Sequence, residues 1–305
     1  MSKTEADNQG PPALRRYVSD AELDRLIAIA KAEDLGKVGD VTSLVMIEEA
    51  QTGEAAMVAR QPGVLAGGAL LWLVALAYDE AITVKLKLED GSAVQPGDTV
   101  ATLSGPTRGL LGVERVALNL ACHLSGVATL TARFVEAVAG TKAKVCDTRK
   151  TLPGLRGLQK YAVRCGGGTT HRTGLHDALL IKDNHVAHLP LKDWPKTIRS
   201  AIKAARKLND KLKFAMVEVD TLDQLEVALQ AGPDIVLLDN FDPAGVAEAV
   251  AMRDKAAPGV QLEASGGVNL DTARPLAEAG VDRLSIGALT HSAPALDLGL
   301  DLKVD

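Results

Sequence analysis

The sequence predicts an α/β protein, a β/α barrel preceded by an α+β region; two observations carry that prediction and a third bears on function. From residue 113 onward the chain repeats one unit: a short apolar strand that stops abruptly in polar residues, then a loop and a helical stretch. Strands alternating with helices imply parallel β/α architecture. The strand ends are Val145–Lys150, Leu179–Asn184, Met216–Asp220, Val236–Asn240, Leu262–Gly267 and Leu284–Ala288. Polar groups at the C-terminal ends of so many strands fit a barrel, where the active face is built there. A doubly wound sheet, the alternative, gathers its functional groups at one switch point. The third observation is a basic island. Residues 141–190 hold nine Lys or Arg and three Asp, a balance of 9 − 3 = +6 within a chain of net charge −5. It points to a pocket for an anionic small molecule.

The elements follow in order. Residues 1–15 read as a flexible tail. Ser19 and Glu22 form a capping box that opens an amphipathic helix with Leu23, Leu26, Ile27, Ile29 and Ala30 toward a core. Thr52–Arg60 and Thr83–Leu88 alternate as half-buried strands, separated by an apolar helix around Ala69–Ala77. Val113–Val138 reads as helix with a break at Ser125-Gly126. Helical patterns recur at Leu222–Ala231, Pro243–Ala256 and Leu270–Ala279. The weakly alternating end, Ala293–Val304, is expected to return to the N-terminal region as a strand.

Composition narrows the function. Aromatic residues make up 3% of the chain and the pI is about 5.7, which argues against a nucleic-acid surface. Cys122, Cys146 and Cys165 lack metal-site spacing and are expected to be reduced thiols of a cytoplasmic protein. The apolar run Gly63–Tyr78 is shorter than the roughly 20 residues a bilayer span needs, and the polar start of the chain reads as neither signal peptide nor anchor. A soluble protein is expected.

The candidate chemistry lies at the strand ends. Arg149, Lys150 and Lys182 would put cations on adjacent strands, with Arg suited to bidentate carboxylate or phosphate contacts and Lys acting as a point charge. Gly166-Gly167-Gly168 precedes His171-Arg172 and would let backbone approach an anion. Glu218 and Asp239 end apolar strands, where an unpaired carboxylate is costly. Each therefore meets an internal cation such as Lys150 or Lys182, stabilises a cationic transition state, or holds a ribose or hydrated metal. Ser265-Gly266-Gly267 and Gly287-Ala288 sit on the last two strands, where barrels place a phosphate. No histidine pair has metal-site spacing, and histidines other than His171 are expected to be structural.

Taken together these segments resemble the quinolinate phosphoribosyltransferase family. The resemblance is carried by Glu114–Asn119, Leu124–Thr129, Asp147–Thr151, Pro153–Arg156, Lys160–Val163, the Gly166–Arg172 segment and Leu180–His185. It continues through Leu238–Asn240, Glu263–Gly267 and Gly287–Ser292, with Glu33–Gly36 and Gly39–Ser43 near the start. It implies an incomplete β/α barrel at 119–291 and an N-terminal α+β (α/β sandwich-like) domain formed by 16–118 with 292–305. The implied reaction joins quinolinate to phosphoribosyl pyrophosphate (PRPP) and releases pyrophosphate and CO2, with Mg²⁺ carried by substrate oxygens and water. Arg149, His171 and Arg172 would grip the quinolinate carboxylates, with Lys150 and Lys182 lining the same pocket. Glu218 and Asp239 would face the ribose, and Ser265, Gly266, Gly267, Gly287 and Ala288 would hold its 5′-phosphate. Arg115 would come from the neighbouring subunit of a dimer or hexamer, making the site shared. Thr170, Asp220 and Leu152 depart from the family's usual Asn, Glu and Thr, yet no charged group with an assigned role is lost. The intact Arg149-Lys150 and Ile181–His185 runs favour this reading over a paralogue found in molybdenum-transport operons, and retention of Glu218, Asp239 and Lys182 favours it over a silent anion-binding relative.

Overall fold

In the computed structural model, which describes residues 14–304, the chain forms two compact units. The first runs to Ala132 and adds Leu152–Gly167 and the segment from Ser292; the second comprises Arg133–Thr151 and Gly168–His291. The expected boundary at residue 118 falls inside one long helix, and the expected tail lies outside the described residues except for its end. There Leu14 begins a 3₁₀ turn and is buried.

The first unit opens with α1 (Asp20–Leu35). Ser19 Oγ accepts the Glu22 N–H while the Ser19 N–H donates to Glu22 Oε2 at 2.8 Å, so the capping box is complete. Leu23 and Ile27 are buried, but Ile29 is 59% exposed. At 100° per residue it points away from the stripe through positions 23, 26, 27 and 30, so helical phase removes it from the core face on which its hydrophobicity placed it. After α2 (Val41–Met46), β1 (Thr52–Ala59) and β2 (Gly63–Val64) come α3 (Leu71–Tyr78), β3 (Thr83–Leu86), β4 (Ala93–Val94) and β5 (Thr99–Pro106). The C-terminal strand β12 (Leu298–Val304) pairs antiparallel with β1, giving a four-stranded sheet in the order β12-β1-β5-β3. The return of the chain end to this sheet is as the alternation predicts. The core of the unit gathers Met57, Leu65, Val74, Leu103, Leu110 and Val113.

Next, α4 (Thr107–Ala137) runs unbroken through Ser125-Gly126. Both residues serve packing instead of a turn. Ser125 Oγ donates to the Ala66 carbonyl at 3.1 Å and accepts its N–H at 3.0 Å. A Cβ on Gly126 would lie 2.1 Å from the Pro294 carbonyl oxygen. Gly126→Ala is therefore expected to lower stability by about 1–3 kcal/mol through overpacking against backbone, measured as a shift in the urea midpoint at constant m.

The second unit holds β6 (Lys144–Cys146), β7 (Leu179–Ile181), β8 (Ala215–Val219), β9 (Ile235–Asp239), β10 (Gln261–Ser265) and β11 (Arg283–Ser285). Every pairing is parallel and the order is β6-β11-β10-β9-β8-β7, with no ladder between β6 and β7 among the described residues. This is the incomplete β/α barrel. Helices fall where the sequence pattern predicts, at Leu222–Ala231 and Pro243–Ala256, and each is capped: Thr221 Oγ1 accepts the Gln224 N–H and Asp242 accepts the Gly245 N–H.

The free edge of β6 is finished by one residue of the glycine-rich segment. Thr169 forms a parallel bridge with Cys146, its N–H donating to Val145 O at 2.7 Å and its carbonyl accepting the Asp147 N–H at 3.1 Å. The Lys144 N–H and Cys146 carbonyl point the other way, toward β11, as strand alternation requires. Gly166 and Gly167 have a packing and turning role. A Cβ on Gly166 would sit 2.3 Å from the Ala128 carbonyl, and Gly167 turns the chain at φ 83°. They bring Thr169 to the strand edge, which fixes where residues 171 and 172 emerge.

Candidate active site

The C-terminal ends of the barrel strands enclose a cavity of about 430 Å³. It is lined by Arg149, Lys150, His171, Arg172, Lys182, Glu218, Asp239 and Ser265, together with Thr148, Leu180, Leu237 and Ser285. Gly266, Gly267, Gly287 and Ala288 lie just beyond the lining residues on the same two loops. Arg115 is placed elsewhere: it belongs to α4 in the first unit, with its side chain 63% exposed and 3.6 Å from the Glu114 carboxylate.

Each cation is set by its own strand end. After β6, the Lys150 N–H donates to Thr148 Oγ1 at 3.0 Å and the Lys150 carbonyl accepts Thr290 Oγ1 at 2.8 Å. Arg149 Nε is buried and has no hydrogen-bond partner among the described residues. Arg172 is 9% exposed. Its burial first, and the nearby Arg149 charge second, push its pKa down, against the pull of Asp177 and Glu218. The loop behind it is clamped by Asp177, which accepts the Thr173 N–H and Oγ1 at 2.8 and 2.7 Å and the Gly174 N–H at 3.1 Å. Burial alone would raise the Asp177 carboxyl, but the Thr173 groups, Lys213 and the Gly174 N–H hold it well below the usual range. After β7, Lys182 precedes a single helical turn, Asp183–Val186, and its N–H donates to His185 Nδ1 at 2.9 Å. His185 is thus structural, as expected. Lys182 Nζ is paired with Glu218 Oε2, so the internal-cation alternative for Glu218 is realised with Lys182 and not Lys150.

Asp239 is different. Its Oδ2 accepts the Asn240 side-chain amide at 3.0 Å, and it forms no ion pair among the described residues. Asn240 is in the left-handed region at φ 58°, and its N–H donates to the Ser265 carbonyl at 2.9 Å. A Cβ on Gly266 would meet Asn240 Oδ1 at 2.1 Å, so the β9 and β10 loops interlock at a point only glycine permits. Gly266→Ala is expected to cost about 1–3 kcal/mol in strain and to shift Asn240, and with it Asp239, lowering kcat more than the melting temperature predicts. Steady-state kinetics beside a thermal melt would check it.

Beneath the cavity lies a charge network that the strand-end pattern does not reveal. Glu263, on β10, is fully buried; Arg283 Nε donates to its Oε2 at 2.6 Å and Ser285 Oγ donates to its Oε1. His171 Nε2 stands 3.3 Å from Glu263 Oε1, an ion-pair distance without directed hydrogen-bond geometry. Burial would push the Glu263 carboxyl up, but the His171 ring, Arg283 and the Ser285 hydroxyl outweigh it and hold it down at about 2. The His171 N–H donates to Asp147 Oδ1 at 2.8 Å, and its ring meets Phe214 edge-on with centroids 4.9 Å apart. A glutamate in the middle of Gln261–Ser265 was the available signal, since the burial cost invoked for Glu218 applies to it equally.

Arginines pressed together with an orphan buried Nε, beside a carboxylate left without a cation, define a β/α-barrel enzyme site for a polyanionic small molecule. Comparison with known proteins narrows the class. Residues 40–125 match the quinolinate phosphoribosyl transferase N-terminal domain and residues 127–301 match its C-terminal domain. The chain belongs to this family. It is 47% identical over 290 residues to the nicotinate-nucleotide pyrophosphorylase [carboxylating] of Mycobacterium leprae, covering 93% of this chain and 100% of the relative. A probable enzyme of the same name from Bacillus subtilis is 40% identical, with 92% and 93% covered. The solved nicotinate-nucleotide pyrophosphorylase from Francisella tularensis superposes with a TM-score of 0.84 at 36% identity, covering 94% of this chain and 98% of that one.

Proposed function

We propose that this enzyme transfers the phosphoribosyl group of PRPP to quinolinate and releases pyrophosphate and CO2, yielding nicotinate mononucleotide for NAD biosynthesis. The observation that carries the reading is the cation cluster Arg149, Lys150, Arg172 and Lys182 around one cavity, with Arg149 Nε buried and unpartnered. A dicarboxylate would supply the missing acceptors for Arg149 and Arg172. Charge-assisted bidentate contacts of this kind are the strong ones.

The pyridine nitrogen attacks the anomeric carbon while the bond to pyrophosphate breaks and its electron pair leaves with that group. Positive charge grows on the ribose, where Asp239, with no cation of its own, stabilises it; Glu218, shared with Lys182, completes the anionic side. In the second stage the bond to the 2-carboxylate breaks as CO2 leaves, its electron pair stays on the ring carbon, and a proton from solvent replaces it. Ser265, Gly266, Gly267, Gly287 and Ala288 hold the 5′-phosphate on the last two loops. Mg²⁺, when bound, would neutralise charge on the pyrophosphate and be held mainly by substrate oxygens and water. The described residues contain no cluster of three or more metal-binding side chains, and Mg²⁺ commonly takes one or two carboxylates with substrate oxygens and water. Asp239 is suited to that share.

The enzyme works as a cytoplasmic homo-oligomer in which Arg115 reaches the partner's cavity. Among the described residues no helix is long and apolar enough to cross a membrane. Mixing inactive Arg115→Ala and Lys150→Ala protomers is expected to restore part of the activity; no recovery despite subunit exchange would reject the shared site. The reaction itself is tested by incubating the protein with quinolinate, PRPP and Mg²⁺, with nicotinate in parallel. Nicotinate mononucleotide and CO2 from quinolinate alone are expected, and turnover of nicotinate but not quinolinate would overturn the reading.

A further inference from the structure

We propose that Glu263 is a positioning residue for the acceptor: it sets the ring of His171, and through it the grip on a substrate carboxylate, without touching substrate. The inference rests on the quinolinate reading above. Glu263 is fully buried below the cavity floor, whereas His171 lines the cavity. The contacts of His171 constrain it from three sides. Asp147, after β6, holds its backbone N–H, Phe214, before β8, meets its ring edge-on, and Glu263, from β10, faces Nε2 at 3.3 Å. Only the last contact discriminates one ring nitrogen from the other. That contact commits Nε2 to the protein side and so fixes which edge of the ring faces the carboxylate.

The rest of the network keeps that carboxylate in place. Arg283 holds Oε2 and the Ser285 hydroxyl holds Oε1, so the oxygen facing His171 is also the one fixed from β11. An anionic Glu263 also sets a negative charge beneath a cavity that Arg149 and Arg172 share with His171. If Glu263 served only to neutralise Arg283, it would need neither Ser285 nor the approach of His171 to the same oxygen.

A double-mutant cycle separates the two roles. Glu263→Asp keeps the charge beside Arg283 but withdraws the carboxylate from His171 by one methylene. Equilibrium binding of quinolinate and of PRPP would be measured for the wild type, Glu263→Asp, His171→Asn and the double variant. Glu263→Asp is expected to weaken quinolinate binding at least tenfold, to change PRPP binding less than twofold, and to add nothing once His171 is already replaced. Equal losses in both backgrounds, or quinolinate affinity within twofold of wild type in folded Glu263→Asp, would overturn the proposal. If Glu263→Asp does not fold, Glu263→Gln combined with Arg283→Gln removes both buried charges, and the same cycle is run with that pair. Wild-type turnover of quinolinate is the separate check on the functional reading: its absence removes that reading, while turnover with additive variants removes only the role of Glu263.

Discussion

Arg172→Met is expected to weaken quinolinate binding by on the order of 100-fold while leaving the melting temperature unchanged or raising it. The first half follows from the hydrogen bonds to substrate that a thioether cannot make. Hydrogen bonds to charged groups contribute about 1.5–3 kcal/mol each, and a guanidinium can make two to one carboxylate. The second half follows from the side chain's surroundings. Arg172 is 9% exposed, and both its burial and the Arg149 charge oppose its ionised form. An unbranched methionine removes the repulsion and replaces the packing of the arginine's aliphatic stem. A site arranged for an absent anion thus gains stability when a cation is taken out, the usual trade between activity and stability. Isothermal titration with quinolinate and a thermal melt on one preparation would check both signs. A large fall in melting temperature with unchanged affinity would show Arg172 to be an ordinary structural arginine.

Glu263→Ala should destabilise the fold by about 3–5 kcal/mol, the range for removing one partner of a buried ion pair. Arg283, whose side chain is 12% exposed, would be left without its carboxylate, and the Ser285 hydroxyl without its acceptor. Urea unfolding at neutral pH measures the loss. The same residue sets a pH signature. Its folded pKa of about 2 lies below the ordinary glutamate value of 4.5. A depressed carboxyl contributes stability that is fully present above about pH 4.5 and is lost as pH falls from there toward 2. The wild type should therefore lose stability across that window more steeply than Glu263→Ala, and the two curves should converge at the acid end.

The strands and their functional ends were legible because a parallel barrel writes them plainly: apolar runs such as Val236–Leu238 stop at Asp239, and the change of polarity marks both element and site. Caps were legible for the same local reason, as Ser19 and Glu22 illustrate. What was missed depends on partners remote in sequence. Gly126 reads as a helix break until Pro294 is seen against it. Gly166 shows no packing role until Ala128 is seen beneath it. The Glu263–Arg283–Ser285 group is joined by His171 from more than 90 positions earlier, and nothing local announces that they meet. Ile29 was misplaced by phase alone, with hydrophobicity taken as sufficient where helical angle decides.

The bridge between Thr169 and Cys146 binds two events into one. The edge of β6 is completed only when the segment after the glycines docks, and that docking is what delivers His171 and Arg172 to the cavity. A chain that has not sealed this seam also lacks the two side chains proposed above to grip the acceptor. With the seam open the cavity would keep Glu218, Asp239 and Ser265 from the other strand ends but not the pair that follows Thr169. The seam acts as an assembly interlock, and amide protection at Thr169 should rise in step with catalytic competence during refolding.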